Sequence, residues 1–148
     1  MGRLFKFLKE QGLEENTLIV FSSDNGPEYS TEDKSKMTYY SRGVTAGRKG
    51  KKRSIMEGGI GVPFIVKWPA QVPAGKVDKQ TIFSAVDMLP TLCSLAGVKL
   101  PQNYRCDGED ISPALRGETY KKSKDIFWDW RGYSSKNNDF WPQLSIQS

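Results

Sequence analysis

The most informative stretch of this chain is Thr17-Leu18-Ile19-Val20-Phe21-Ser22-Ser23-Asp24-Asn25-Gly26-Pro27. Its run of β-branched and aromatic residues predicts a buried strand over residues 17–23. The strand ends abruptly because Gly26 and Pro27 are turn-forming residues. Since ligands bind at the carboxyl ends of strands in open α/β sheets, the sequence predicts a carboxylate and a carboxamide at a binding edge.

Asp24 and Asn25 have the chemistry of a hard-cation site. One offers a charged oxygen ligand and the other a neutral one, and this combination suits Ca²⁺ or Mg²⁺ better than the softer transition metals. Each residue of an Asp-Asn-Gly sequence also favours turns for its own reason. An ordinary turn that binds no ligand is therefore the open alternative.

A strongly basic segment follows in the chain. It consists of Arg48-Lys49-Gly50-Lys51-Lys52-Arg53 and leads into Ser54-Ile55-Met56-Glu57-Gly58-Gly59. By itself, the basic run is compatible with a nucleic-acid patch or a localisation signal. No aromatic stacking platform or known reading motif accompanies it, so nucleic acid is not an expected partner.

The chain begins with a helix pattern followed by a buried strand, which is half of a βαβ unit and is typical of an α/β fold. A helix is expected at about residues 2–12, where Gly12 would end it. A second strand is expected at residues 62–68. The long segment at 26–58 is too polar and too rich in glycine, serine and lysine for regular structure, and loops of that length are usually functional or mobile.

The later part of the chain shows weaker patterns. Asp87 is expected to be the N-cap of a helix that runs to about residue 95, and Ser112 to be the N-cap of a short helix. Residues 125–130 alternate between apolar and polar side chains, which predicts a half-buried strand. Trp128, Trp130 and Trp141 are expected to face solvent or another chain.

Four ordered blocks of this sequence resemble the carboxyl-terminal half of the catalytic domain of sulfatases, a family of the alkaline phosphatase superfamily. The blocks are residues 21–27, 48–69, 84–93 and 107–115. Within the family, the resemblance is to bacterial N-acetylgalactosamine-6-sulfatase-like enzymes. It implies a sulfuric ester hydrolase that acts on sulfated glycans.

The same resemblance implies an incomplete α/β fold, in which a mixed sheet is flanked by helices. Residues 1–100 would form the carboxyl-terminal half of the catalytic domain. Residues 101–148 would connect it to a truncated carboxyl-terminal subdomain. The missing amino-terminal part of the same enzyme is then an expected partner.

The resemblance also assigns roles to individual residues. Asp24 and Asn25 match the positions that complete the calcium site of sulfatases, so Ca²⁺ is the expected cofactor, ahead of Mg²⁺. Lys52 matches the lysine that binds the sulfate group. These roles agree with the chemistry, because a cation and a lysine both stabilise the negative charge that develops on a sulfate ester.

Neighbouring residues receive weaker assignments. Lys49 and Lys51 are alternatives to Lys52 if the register of the match is shifted. Glu57 is expected to hold the loop or the lysine, although a surface carboxylate without such a role is equally open. Gly58 and Gly59 are expected to permit backbone conformations that other residues cannot adopt.

The family's nucleophile has no counterpart in this chain. Sulfatases use a formylglycine made within a Cys/Ser-x-Pro/Ala-x-Arg block, and neither Cys93 nor Cys106 lies in such a block. The chain also contains no histidine, whereas the family places histidines in its pocket. We therefore expect the formylglycine, the first metal carboxylates and the histidines upstream of Met1, and we expect this chain to be an inactive fragment.

The composition is that of a soluble globular protein, with 37% hydrophobic and 26% charged residues among 148. No apolar run approaches the roughly 20 residues that cross a bilayer, so no membrane partner is expected. The first residues predict an amphipathic helix rather than a signal peptide. The family resemblance nevertheless implies a periplasmic or secreted parent. Two cysteines are too few for a disulfide framework, and pairing of Cys93 with Cys106 stays open.

Two other functions compete with a sulfatase. A phosphate-ester or phosphonate hydrolase of the same superfamily would use a similar metal site, because the two esters have similar shapes. A non-catalytic, basic anion-binding module would explain the net charge of +5 without turnover. A basic pocket for a sulfated carbohydrate explains the same charge, and the Glu-Gly-Gly block together with Lys52 favours sulfate.

Overall fold

The computed structural model of this chain describes residues 1–30, 42–130 and 144–147. In chain order the elements are α1 (Gly2–Glu10), β1 (Ile19–Ser22), β2 (Tyr29–Ser30), β3 (Arg42–Gly43), α2 (Glu57–Ile60), β4 (Phe64–Lys67), a 3₁₀ turn (Ala85–Asp87), α3 (Met88–Leu95), α4 (Ser112–Leu115), β5 (Ile126–Asp129) and β6 (Leu144–Gln147). The predicted helices and strands are present. The elements α1, β1, β4 and β5 are shorter than predicted, whereas α3 ends at Leu95, as predicted.

The strands of the described residues pair two by two. β1 pairs with β4, β2 with β3, and β5 with β6. The β2 and β3 strands are parallel, with Tyr29 opposite Arg42 and Ser30 opposite Gly43. The chain forms two compact units, which consist of Met1–Val20 with Val66–Ile126 and of Phe21–Ile65 with Phe127–Gln147; we call them the first and the second unit. The division expected near residue 100 stays a prediction.

In the first unit, helix α1 ends two residues before the predicted position. Gly12 follows it with a φ of +66°, a left-handed conformation that glycine adopts without steric cost. The chain then turns so that the amide of Leu13 donates to the carbonyl of Leu8 at 2.9 Å. Leu8 is the buried residue of this helix, and the bond to its carbonyl closes the turn that ends the helix.

Asp87 lies just before α3, as predicted, but its carboxylate does not cap that helix. It is fully buried and accepts hydrogen bonds from the backbone amides of Ser84 and Glu109, both at 2.8 Å. The ammonium of Lys122 binds the same carboxylate. Asp87 therefore joins three segments that are distant in sequence, which a local capping rule could not predict.

The prediction that Ser112 is the N-cap of the short helix α4 is also wrong. Ser112 is the first helical residue rather than the N-cap. Its own backbone amide donates to the carboxylate of Asp110 at 2.8 Å, so Asp110 provides the side-chain acceptor. Nearby, the hydroxyl of Thr91 accepts from the amide of Ile111 at 3.0 Å, and both residues are buried. The bond between Thr91 and Ile111 joins α3 to the residue that precedes α4.

The strand predicted at residues 125–130 is β5. Ile126 is buried, Phe127 is exposed and Trp128 is half-buried, so the predicted alternation is confirmed. Trp130 is exposed, whereas Trp141 lies outside the described residues. Cys93 and Cys106 are both free thiols, which settles the pairing that the sequence left open.

The second unit is held together by close backbone contacts between two distant segments. The amide of Gly26 donates to the carbonyl of Gly59 at 2.7 Å, and the amide of Lys52 donates to the carbonyl of Pro27 at 2.9 Å. A Cβ at Gly26 would overlap the carbonyl oxygen of Gly58 and lie 2.8 Å from its carbon. Glycine is required there because no side chain fits between the two backbones.

We expect that Asp87→Ala will lower the free energy of unfolding by about 3 kcal/mol, because it leaves the Lys122 ammonium and two backbone amides without their buried acceptor. Urea unfolding followed by circular dichroism measures this loss. Asp78→Ala is the matched control: Asp78 is exposed, and it accepts hydrogen bonds from its sequence neighbours Gln80 and Thr81. Its loss should stay below about 1 kcal/mol. Equal losses in the two variants would contradict the role given to Asp87.

Gly26→Ala should destabilise the second unit by about 2 kcal/mol, since the added methyl group meets rigid backbone and not a flexible side chain. Gly2→Ala is the control, because its added Cβ meets nothing within 4 Å and alanine favours a helix. Urea midpoints of the two variants provide the comparison. A Gly26→Ala protein as stable as Gly2→Ala would show that the close contact does not exist.

Candidate functional site

The residues that follow β1 line a cleft of about 560 Å³ within the second unit. Its lining comprises residues 23–28, 43–46, 48, 52 and 61–63. The first group is the turn that ends β1, and Lys52 belongs to the basic segment far along the chain. The hydrogen bonds from Gly26 to Gly59 and from Lys52 to Pro27 explain why these two segments meet at one cleft.

Asp24 and Asn25 both line this cleft. Asp24 is exposed and Asn25 is half-buried. The side-chain amide nitrogen of Asn25 donates to the carbonyl of Gly26 at 2.9 Å, so the Oδ1 oxygen is the atom that a cation would bind. The hydroxyl of Ser23 donates to the carbonyl of Asn25 at 3.0 Å, which helps to fix the turn.

Lys52 is the lysine of the basic segment that lines the cleft. Its side chain is half-buried, whereas Lys49 and Lys51 are exposed and lie outside the lining. The backbone of Lys52 is fixed to Pro27, directly after the Asp24–Gly26 turn. The geometry therefore favours Lys52 over its two neighbours as the residue that would meet a bound anion.

Glu57, Gly58 and Gly59 form the start of the single-turn helix α2. Both glycines are buried, and a Cβ at Gly58 would lie 2.8 Å from the carbonyl oxygen of Lys49. The side chain of Glu57 is exposed, and its carbonyl accepts from the amide of Gly61 at 2.7 Å. The glycines thus shape the loop that presents Lys52, whereas a role for the Glu57 carboxylate stays a prediction.

Two charged residues of the cleft were not singled out from the sequence. Glu28 and Arg48 both contribute to the lining. Arg48 was visible as a member of the basic run, and Glu28 lies two residues after Gly26 in a segment without regular periodicity. The carboxylate of Glu28 binds the guanidinium of Arg53, with Oε1 and Nη2 2.9 Å apart. The pair is identified by its contact in the folded chain, because no motif spacing in the sequence links Glu28 to Arg53.

The donors present suit a hard cation but form only part of its shell. Within residues 1–30, 42–130 and 144–147, no group of three or more His, Cys, Asp and Glu side chains could hold a metal ion. Asp24 and Asn25 supply oxygen ligands, the type that Ca²⁺ and Mg²⁺ prefer, whereas Ca²⁺ takes about 6–8 of them. The two side chains therefore offer the type of ligand that such a cation binds, but too few ligands to complete its shell.

The helices of the described segments include none that is long and apolar enough to cross a membrane.

Comparison with known proteins identifies the family. A family model described as Sulfatase matches residues 1–98. Human steryl-sulfatase is 35% identical over 131 residues, a match that covers 88% of this chain and 22% of that enzyme. A protein named sulfatase from Formosa agariphila is 32% identical over 134 residues, again covering 88% of this chain and 22% of the relative.

The fold leads to the same conclusion. A solved structure described as Ps i-CgsB in complex with k-i-k-neocarrahexaose matches with a TM-score of 0.68 and 35% identity, covering 85% of this chain and 26% of that one. This chain therefore spans about a fifth to a quarter of the length of the relatives it matches. The predicted α/β fold class is confirmed as that of a part of an alkaline-phosphatase-like sulfatase domain, and the chain belongs to the sulfatase family.

Proposed function

We propose that this chain is the part of a sulfuric ester hydrolase that binds the sulfate group of the substrate and supplies two ligands of a divalent cation. One observation carries the proposal: Asp24, Asn25 and Lys52 line the same cleft, although Lys52 lies 27 positions after Asn25 in the sequence. Membership of the sulfatase family supports the reaction class.

The chemistry of Lys52 suits this role. Hydrolysis of a sulfate ester increases the negative charge on the sulfate oxygens and on the leaving oxygen, and preorganised donors stabilise that charge. An ammonium group is a compact point charge, and Lys52 is half-buried, so water screens its charge less than that of an exposed lysine. In this proposal Lys52 orients the sulfate group and stabilises its charge.

Asp24 and Asn25 would hold Ca²⁺, with Mg²⁺ as the less suitable ion, through their carboxylate and amide oxygens. When bound, such a cation supplies a positive charge that polarises the sulfate oxygens. The hydrogen bond from Asn25 Nδ2 to the carbonyl of Gly26 engages the nitrogen of the amide, so Oδ1 is the atom that would bind the cation. The remaining ligands and the formylglycine would come from parts of a sulfatase that this sequence does not contain.

The proposed substrate is a sulfated carbohydrate. The solved relative bound to k-i-k-neocarrahexaose supports this class of ligand, and so do Arg48 and Lys52 in the lining, because they favour a polyanionic molecule. We further propose that the parent enzyme is periplasmic or secreted, as the family resemblance implies, and that its amino-terminal part is the partner of this chain.

Sulfate binding tests the site directly. Sodium sulfate is titrated into the isotope-labelled chain at constant ionic strength, and the NMR chemical shifts of its backbone amides report binding. Lys52→Ala should weaken binding about tenfold, which is the usual effect of losing a hydrogen bond to a charged group. Lys51→Ala and Lys49→Ala are matched controls that remove the same charge outside the cleft, and each should change the affinity less than about twofold.

Loss of affinity in either control equal to that in Lys52→Ala would contradict the assignment of Lys52. Inorganic phosphate provides a second arm of the titration. If phosphate binds tenfold more tightly than sulfate, the phosphate-ester hydrolase becomes the better proposal.

The isolated chain should not hydrolyse a chromogenic aryl sulfate, because it contains no formylglycine block. Its calcium affinity should be weak, with a Kd of about 1 mM or above, since two side chains fill only part of the shell. Calorimetry with Asp24→Asn as the comparison measures the second property. Turnover that Lys52→Ala abolishes, or micromolar calcium binding, would show that further catalytic groups or ligands lie in this chain.

A further inference from the structure

Arg53 has an unusual backbone conformation beside the proposed sulfate site. Its φ is +72°, in the left-handed region that residues with a side chain seldom occupy. It directly follows Lys52, whose amide is bonded to the carbonyl of Pro27 at 2.9 Å. The left-handed turn redirects the chain immediately after the residue that would meet the anion.

The conformation brings the Arg53 side chain to Glu28. The guanidinium Nη2 lies 2.9 Å from Oε1 of Glu28, so two consecutive residues, 52 and 53, bind two consecutive residues, 27 and 28. The Glu28 side chain is 22% exposed and the Arg53 side chain 65% exposed. The Glu28 carboxylate is thus partly shielded from water, whereas the Arg53 guanidinium that binds it is mostly exposed to solvent.

This pair has an electrostatic consequence for the cleft. Glu28 lines the cleft, and Arg53 does not. A carboxylate in the wall of an anion site repels the ligand, and the repulsion grows as water is excluded. A guanidinium that binds the carboxylate from outside the cleft offsets this repulsion and leaves the positive charges of Lys52 and Arg48 to act on the ligand.

We propose that Arg53 is a positioning residue of the sulfate site, which acts by neutralising Glu28. This inference rests on the proposed function, because it assumes that the cleft binds an anion. A purely structural ion pair differs in its consequences: removing either partner would then disturb the cleft equally. Neutralisation predicts opposite effects, since loss of Arg53 removes a cation that offsets the Glu28 charge, whereas loss of the Glu28 charge removes the repulsion itself.

The test uses the complete 148-residue chain and inorganic sulfate at constant ionic strength. Arg53→Gln should weaken sulfate binding about threefold to tenfold, a size expected for one charge in a partly exposed cleft. Glu28→Gln should bind sulfate as well as the unmodified chain or better. The double variant Glu28→Gln/Arg53→Gln should return to within about twofold of the unmodified chain, because no charge is then left to neutralise.

A second variant and a separate measurement test whether loss of binding comes from misfolding. Arg53→Gly removes the same charge and relieves the left-handed backbone, so it should match Arg53→Gln in sulfate affinity while its amide spectrum remains that of the folded chain. Absence of sulfate binding by the unmodified chain, or no effect of Lys52→Ala, would refute the proposed function together with this inference. If sulfate binds and depends on Lys52, while Glu28→Gln weakens it as much as Arg53→Gln does, the inference alone is overturned.

Discussion

The site depends on the close approach of two backbones, one at the end of β1 and the other at the start of α2. Gly26 lies so near Gly58 that a methyl group at Gly26 would overlap the carbonyl oxygen of Gly58. Hydrogen bonds from Gly26 to Gly59 and from Lys52 to Pro27 fix the register of that contact. This register brings the Asp24–Asn25 turn and Lys52 to one cleft, where we propose the anion and the cation bind.

Much of the local structure could be predicted from residue patterns. The apolar runs that became β1 and β4 and the helix-ending Gly12 follow rules that act within a few residues. The prediction that Lys52 serves the site, with Lys49 and Lys51 as alternatives, came from resemblance to a family. The cleft geometry favours the same residue for an independent reason.

The remainder depends on contacts between residues that are distant in sequence. Asp87 was expected to cap α3, but its carboxylate joins Ser84, Glu109 and Lys122 instead. The pairing of Glu28 with Arg53 is likewise set by where two loops meet. Helix-capping and turn rules describe neighbours along the chain, so they cannot identify such partners before the fold is known.

The central claim is that the Asp24–Asn25 turn and the Lys52 loop form one site, and paramagnetic Mn²⁺ tests it most directly. Mn²⁺ accepts the same oxygen ligands as Ca²⁺, and it broadens the amide signals of residues near the place where it binds. If the account is correct, Mn²⁺ will broaden the signals of Asp24 and Asn25 together with those of Lys52 and Gly59, and Asp24→Asn will remove both effects. Broadening at Asp24 and Asn25 that leaves Lys52 and Gly59 unchanged would contradict it.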